Sequence, residues 1–224
     1  MQTTKQQILT LLKRAGSITV EEAAGALSIA SMTARQHLVG LERDGLVIAE
    51  KVRRSTGRPH YLYTLTPKGE EMFPRRYDLL AEMLLDEVAE LTPADIMRLS
   101  PEGKRRLLVQ RTADRLAERY RFRVEGRSLE QRVASVADVL GLIGGFAEWL
   151  QTDRGLEIRD YNCVFAKLMP ETHNGCEWHV RLLTRLLQWP VQHEHNVEGR
   201  VHCCRYLIDP QWTPVPEKEA LANA

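Results

Sequence analysis

The chain has 224 residues, of which 43% are hydrophobic and 27% are charged, and its formal net charge is +1. This composition is that of a globular protein with a substantial core and excludes a wholly disordered chain, and the length suits two domains of about 100 to 150 residues each. No apolar run approaches about 18 residues and no signal-peptide pattern opens the chain, so we expect a cytoplasmic protein without a membrane partner.

Positive charge is concentrated in the N-terminal third. Residues 1–77 carry 12 Lys and Arg against 7 Asp and Glu, a net charge of +5, whereas residues 78–224 carry 19 against 23, a net charge of −4. This asymmetry is typical of a nucleic-acid-binding module joined to a second domain.

Three helix patterns follow one another before residue 46. The first begins at a Thr cap and ends at Gly16, the second is capped by Thr19, and the third is predicted to be capped by Ser31 and to end at Gly45. The third helix buries one apolar stripe, formed by Ala34, Leu38 and Leu41. Helix, short turn and helix is the supersecondary motif that reads DNA.

A hairpin pattern follows the third helix. The segments "LVIAEKVRR" and "HYLYTLT" are rich in strand-forming residues and flank "STGRP", a Gly and Pro turn. Three helices followed by a basic hairpin predict a winged helix-turn-helix domain over residues 1–75.

The residue types in this domain suit operator DNA. The first turns of the third helix carry polar residues of the types that contact base edges, namely Ser31, Thr33, Arg35, Gln36 and His37. The hairpin turn carries arginines that can reach phosphate groups or a minor groove, namely Arg53, Arg54 and Arg58. The alternative is a winged domain used for protein contacts, with the arginines as a solvated face.

Residues 76–143 are predicted to form a helical linker or dimerisation region. "PRRYDLLAEMLLDEVAEL" has helical periodicity, and "TPAD" and "SPEG" each place Pro at a first helical position behind a Thr or Ser cap. Operators have two half-sites, so we expect a homodimer, and the apolar stripe from Leu80 to Val88 is the predicted seam.

Residues 144–213 read as an α+β domain, followed by a tail over 214–224 whose composition allows disorder. The predicted order is two strands, two helices and two strands, with the first helix beginning near Asn162 and the second beginning at "GCEWHV". The expected fold class of the chain is therefore α+β, with a winged helix-turn-helix, a central helical region and a C-terminal domain that binds a metal or cluster.

All four cysteines lie in the C-terminal domain. In a reducing compartment they are more consistent with metal binding or catalysis than with disulfides. Cys163 and Cys176 are placed near helix N-termini, which stabilise thiolates, whereas neighbours Cys203 and Cys204 point to opposite faces of a strand. One site can therefore combine only one of this pair with Cys163 and Cys176.

A metal or cluster bound by these three cysteines needs a fourth ligand. The candidates are Cys203, His173, His179, His193, His195 and His202. Such a set suits a labile iron–sulfur cluster or zinc, while the absence of close Cys pairs disfavours a simple zinc ribbon. The alternatives are that Cys163 and Cys176 are small buried apolar residues, and that His179 serves helix packing.

The winged domain together with "YNC", "CEWHVRLL" and "VHCCRYLI" resembles the SufR family, DeoR/ArsR-like repressors of iron–sulfur cluster assembly operons. The resemblance covers nearly the whole chain. It implies a homodimer that holds an iron–sulfur cluster, usually [4Fe-4S], in each C-terminal domain and represses its operon while loaded. By motif it implies Cys163, Cys176 and Cys204 as cluster ligands, and it leaves the fourth position open because Pro190, Val191 and Gln192 stand where some members have a cysteine.

Two other classes of function are compatible with the residues. One is a winged-helix regulator that senses zinc or a small effector in the C-terminal domain. The other is a Cys-His hydrolase using Cys176 and His179, but no third orienting group or nucleophile elbow is apparent in the sequence. We therefore predict that the chain is a regulator and not an enzyme.

Overall fold

The structure is a computed structural model that describes residues 3–52, 60–164, 174–198 and 201–212, with the backbone alone at 60, 174–175, 195–198 and 201–202. The helices are α1 Thr4–Ala15, α2 Val20–Leu27, α3 Ser31–Arg43, α4 Pro67–Glu70, α5 Tyr77–Ala89, α6 Pro93–Ile96, α7 Pro101–Tyr120, α8 Leu129–Leu142 and α9 Asn174–Leu187. The strands are β1 Ser17–Ile18, β2 Val47–Val52, β3 His60–Leu65, β4 Ala147–Thr152, β5 Gly155–Asp160, β6 Gln192–Glu198 and β7 Val201–Ile208. The expected mixture of helix and sheet is confirmed.

The chain divides into two compact units. One comprises Met1–Arg75 with His195–Cys204, and the other comprises Arg76–Glu194 with Arg205–Ala224. Within the ranges that the structure describes, no helix has the length and apolar character needed to cross a membrane.

The N-terminal unit has the order and pairing of a winged helix-turn-helix. Strand β3 lies between β1 and β2 and is antiparallel to both, with Ile18 opposite Tyr63 and Val47 opposite Leu65. The helices α1, α2 and α3 pack on this sheet around one apolar cluster, which contains Ile8, Leu9, Leu12, Ile18, Ala23, Ala24, Ala34, Leu38, Leu41, Val47 and Tyr63. The predicted three helices and hairpin are confirmed.

Local capping explains where the first helices begin and end. Thr3 and Thr19 each accept a hydrogen bond from the third residue of their helix, in a capping box completed by Gln6 and Glu22 respectively. Gly16, at φ +73°, ends α1 as predicted. The cap predicted at Ser31 is wrong, because Ser31 is the first helical residue and Ala30, which has no side chain able to accept a bond, stands at the cap.

The short helix α4 packs directly on the backbone at the start of β2. A Cβ atom at Gly69 would lie 2.1 Å from the carbonyl oxygen of Leu46, which accepts a hydrogen bond from the Thr66 amide at 3.0 Å. No side chain fits in this space unless the backbone moves.

We therefore expect Gly69→Ala to destabilise the N-terminal unit by about 1–3 kcal/mol, the usual cost of overpacking. Gly25→Ala is the matched control, because a Cβ there would meet nothing within 4 Å and Ala is the better helix former. Urea unfolding followed by circular dichroism measures both variants. Equal unfolding midpoints for Gly69→Ala and the unchanged chain would contradict this packing.

The second sheet has four strands in the order β4-β5-β7-β6, of which β4 and β5 lie wholly in the second unit. Helix α8 packs on β4 and β5, and α7 lies along α9. The Trp178 indole donates to the hydroxyl of Thr112 at 3.2 Å, and Arg181 donates to both carboxylate oxygens of Asp114 at 2.7 and 2.6 Å. Burial raises the pKa of Asp114, but the bonds from Arg181 and Arg185 outweigh it and hold the pKa below its usual value.

The buried face of α5 includes only part of the apolar stripe predicted for this helix. Leu80 and Met83 are buried within the chain, but Val88 is 52% exposed and Glu87 is buried in its place. The Glu87 carboxylate is tolerated there because Arg111 binds it at 2.8 Å and Arg115 donates a second hydrogen bond from the next turn of α7. The seam from Leu80 to Val88 remains a prediction, and its first half is already buried within this chain.

The helix expected to begin near Asn162 does not begin there. Asn162, Cys163 and Val164 are non-helical, and residues 165–173 lie outside the described residues. The second predicted helix of this domain is confirmed as α9, with Cys176 in its first turn.

Candidate DNA-binding surface and cysteine segment

Helix α3 is held against the N-terminal unit along one side only. The buried stripe of Ala34, Leu38 and Leu41 is 0% exposed at each position, as its spacing predicts. The turn before it is tight, because Ser28 closes α2 in the left-handed conformation at φ +54° and Ala30 precedes the first residue of α3. The remaining sides of α3 are open to a partner.

The predicted base-reading residues fall on different sides of α3. Ser31, Arg35 and Gln36 are exposed, whereas Thr33 and His37 are half-buried. On a helix of 3.6 residues per turn, Gln36 lies opposite the buried stripe and His37 lies beside it. Arg35 and Gln36 therefore offer the greatest reach toward a groove of DNA.

The outer side of α3 forms a shallow groove of about 350 Å³. Its lining is Met32, Arg35, Gln36, Val39, Gly40 and Arg43. Met32, Val39 and Arg43 were missed by reasoning from the sequence, which considered only polar residues in the first turns. Their spacing relative to the buried stripe is the signal that identifies them, because residues 32, 36, 39 and 43 fall on the opposite side of the helix.

An ion pair fixes the C-terminal end of α3. The Lys5 ammonium lies 2.6 Å from the Asp44 carboxylate, and Lys68 donates to the Asp44 carbonyl oxygen at 2.9 Å. The hydrogen bond from Lys5 lowers the pKa of Asp44. These contacts join α3 to α1 and α4, which orients the outer face of the helix.

The wing is the hairpin of β2 and β3, whose last described pair toward the turn is Val52 opposite His60. Arg53, Arg54 and Arg58 lie outside the described residues. Their phosphate contacts remain a prediction.

The thiols of Cys163, Cys176, Cys203 and Cys204 are not joined in disulfides. Cys203 is buried, and the other three are half-buried. Within the ranges that the structure describes, no group of three or more His, Cys, Asp or Glu side chains is placed to hold a metal ion. The donor chemistry of three accessible thiols suits a metal or cluster, but the ligand set itself remains a prediction.

The faces of β7 distinguish its two cysteines. The Tyr206 ring stacks on His179 of α9, with centroids 5.8 Å apart, whereas Arg205 points to the opposite face and binds Glu157 at 2.7 Å. Because side chains alternate along a strand, Cys204 shares the face of Tyr206 and Cys203 shares the face of Arg205.

The candidate histidines have different surroundings. His179 is 2% exposed, lies edge-on to Trp178 at 4.8 Å, and has its Nε2 atom 3.8 Å from the Asp160 carboxylate. This environment favours the packing role that was the alternative for His179. The His193 ring lies 5.3 Å from the Tyr206 ring. His173 is outside the described residues, as are the side chains of His195 and His202.

Comparison with known proteins gives one family match. Residues 5–52 match the DeoR-like helix-turn-helix domain, which spans α1 to β2. A search of curated proteins returns no significant match. Among solved structures, Bacillus subtilis PadR, in a crystal structure in complex with operator DNA, is similar to this chain at 16% sequence identity and a TM-score of 0.30. That match covers 64% of this chain and 93% of PadR.

The matched helix-turn-helix and the strand pairing that follows it define the N-terminal unit as a winged helix-turn-helix. The matched domain supports a DNA-binding transcriptional regulator.

Proposed function

We propose that the chain is a sequence-specific repressor that binds operator DNA as a homodimer, inserting α3 of each copy into a major groove. The observation that carries this proposal is the exposed outer face of α3, where Arg35 and Gln36 stand clear of the buried stripe. Arg pairs with guanine and Gln with adenine through two hydrogen bonds each, so the two side chains suit direct reading of bases. Such a regulator acts in the cytoplasm, without a membrane partner.

Two recognition helices are needed to read half-sites about 34–36 Å apart. The outer face of α5 supports a second copy as the partner, since it presents Leu85 at 70% and Val88 at 52% exposure. Leu85 and Val88 lie three residues apart on one side of α5, and a second copy related by a two-fold axis would cover them with its own pair. The proposed seam therefore consists of Leu85 and Val88. Leu80 and Met83, which belonged to the predicted stripe, are excluded because they are buried within the chain.

We further propose that DNA binding is controlled by an iron–sulfur cluster, as the SufR resemblance implies, and that the genes repressed are those of cluster assembly. Cys163, Cys176 and Cys204 would hold it through their thiolates, although, among the residues described, the structure does not group these three side chains as a metal site. A bound cluster would link these cysteines through iron–thiolate bonds. Control requires only that the loaded and cluster-free chains differ in affinity for DNA, and the coupling must be reciprocal.

Anaerobic purification of the full chain tests the cofactor. We expect iron and acid-labile sulfide, with both lost in Cys176→Ser and in Cys204→Ser. Cys203→Ser is the matched control and keeps both, because Cys203 lies on the other face of β7. A colourless protein with one zinc ion per chain would instead support the alternative, a winged-helix regulator that senses zinc, and a chain with neither metal would favour a small effector.

Gel shifts on the promoter region of its own operon test the control of DNA binding. We expect the loaded chain to bind more tightly than the cluster-free chain. Equal binding by the two forms would contradict cluster control and leave the DNA-binding function standing.

A further inference from the structure

The outer face of the recognition helix carries two large apolar side chains among its polar ones. Met32 is 67% exposed and Val39 is 49% exposed. A single exposed apolar residue is ordinary in a folded protein. These two, however, lie seven residues apart on one stripe of α3, with Gln36 between them, and they line the same groove as Arg35 and Arg43.

The charge around these side chains indicates their partner. Arg35 and Arg43 line the groove with them, so whatever covers Met32 and Val39 must also suit two guanidinium groups. Duplex DNA does so, because its phosphates and guanine edges attract Arg. An apolar protein surface would leave both arginines in a desolvated interface without a compensating charge.

The major groove offers one apolar group to such side chains, the C5-methyl group of thymine. Neither the thioether of Met32 nor the isopropyl group of Val39 can form the paired hydrogen bonds that read other base edges. Seven residues span roughly 10 Å of helix, at about 1.5 Å per residue. This length corresponds to roughly three base pairs, at about 3.4 Å per step.

We propose that Met32 and Val39 determine specificity by contacting thymine methyl groups about three base pairs apart, on either side of the base read by Gln36. The inference rests on the proposed insertion of α3 into the major groove. If so, each half-site of the operator carries thymine at two positions about three base pairs apart.

Replacement of thymine by deoxyuridine removes the methyl group alone and thus isolates this contact. The full-length chain first selects its preferred duplexes from a random library, and each thymine of the selected site is then replaced in turn. Binding is measured by fluorescence anisotropy. We expect a roughly three- to five-fold loss of affinity at each contacted thymine, the usual effect of one buried methyl-sized group.

Val39→Ala and Met32→Ala identify which side chain reads which methyl group. Each variant is expected to bind the thymine and deoxyuridine forms equally at its own position and to keep the discrimination at the other. Both changes place a better helix former on an exposed surface of α3, so the fold is retained. Met97→Ala is the matched control, because it removes a side chain that is 80% exposed on the second unit. It should still bind the thymine form more tightly than the deoxyuridine form at both positions.

The possible results separate this inference from the function on which it rests. Selection of a defined sequence with equal affinity for its thymine and deoxyuridine forms would overturn the methyl contacts and leave operator recognition intact. A loss in Val39→Ala that is the same for both forms would likewise overturn them, because Val39 would then support DNA binding without contacting the methyl group. Failure to select any sequence would overturn the proposed recognition by α3 itself.

Discussion

Replacement of both Arg35 and Gln36 by alanine is expected to remove most of the discrimination between the operator and unrelated duplex DNA. Each side chain lies exposed on the outer groove of α3 and can form two hydrogen bonds to a base edge. A good contact of this kind contributes about 1–3 kcal/mol of discrimination, so the pair contributes a factor of roughly 30 to more than 10,000. Binding to unrelated DNA depends on phosphate contacts and should fall much less.

The measurement is the ratio of dissociation constants for operator and scrambled duplex, determined at two salt concentrations. Arg105→Ala is the control for loss of one positive charge, because Arg105 is an exposed residue of α7 in the second unit. The control should keep the specificity ratio. A double variant that also keeps the ratio would show that the bases are read by other residues.

Replacement of Glu157 by glutamine is expected to destabilise the second unit strongly. The Glu157 side chain is 0% exposed on β5 and binds Arg205 at 2.7 Å through both of its oxygens, with Arg159 at 2.6 Å. Removal of one member of a buried ion pair leaves its partners uncompensated, at a cost of roughly 3–5 kcal/mol. We expect the lower end of that range, because Arg159 is 34% exposed and Arg205 is 19% exposed.

The same pair makes stability depend on pH. Burial raises the pKa of Glu157, but hydrogen bonds from Arg205 and Arg159 outweigh burial and lower the pKa below the ordinary value of 4.5. A carboxylate whose pKa is lower in the folded state stabilises the fold above its unfolded pKa, and that stabilisation is lost as pH falls through the folded pKa. The unfolding free energy of Glu157→Gln should therefore fall less than that of the unchanged chain as the pH is lowered.

Urea unfolding at neutral pH and below pH 4.5 measures both effects. Glu194→Gln is the control, since it disrupts an exposed pair with Arg154 in the same unit and should leave the unfolding free energy nearly unchanged. Equal stability of Glu157→Gln and the unchanged chain at neutral pH would contradict a structural role for the buried pair.

The helix-turn-helix was predictable because its signals are local. Thr19 and Gly16 lie within one turn of the helix ends that they determine, and the spacing of Ala34, Leu38 and Leu41 alone identifies the inner side of α3. The same spacing also contains the outer stripe with Met32 and Val39. That stripe was missed because a search for base readers considered only polar residues.

Other features depended on groups far away in the chain. Glu87 is buried and Val88 exposed because Arg111 and Arg115, 24 and 28 residues later, supply hydrogen bonds to a carboxylate. Burial of Glu157 likewise depends on Arg205, 48 residues away. A pattern based on hydrophobicity assigns a carboxylate to solvent, so it cannot anticipate either arrangement.

The sequence by itself indicated the three N-terminal helices, the hairpin of β2 and β3, and hence a winged helix-turn-helix in the first 75 residues, although the cap at Ser31 and the helix near Asn162 were predicted wrongly. Only the tertiary structure decided that Glu87 and Glu157 are buried against arginine partners and that His179 is enclosed by Trp178 and Tyr206. The physical reason is that backbone propensity and capping act over a few residues. The orientation and burial of a polar side chain are set by the partners that folding brings to it.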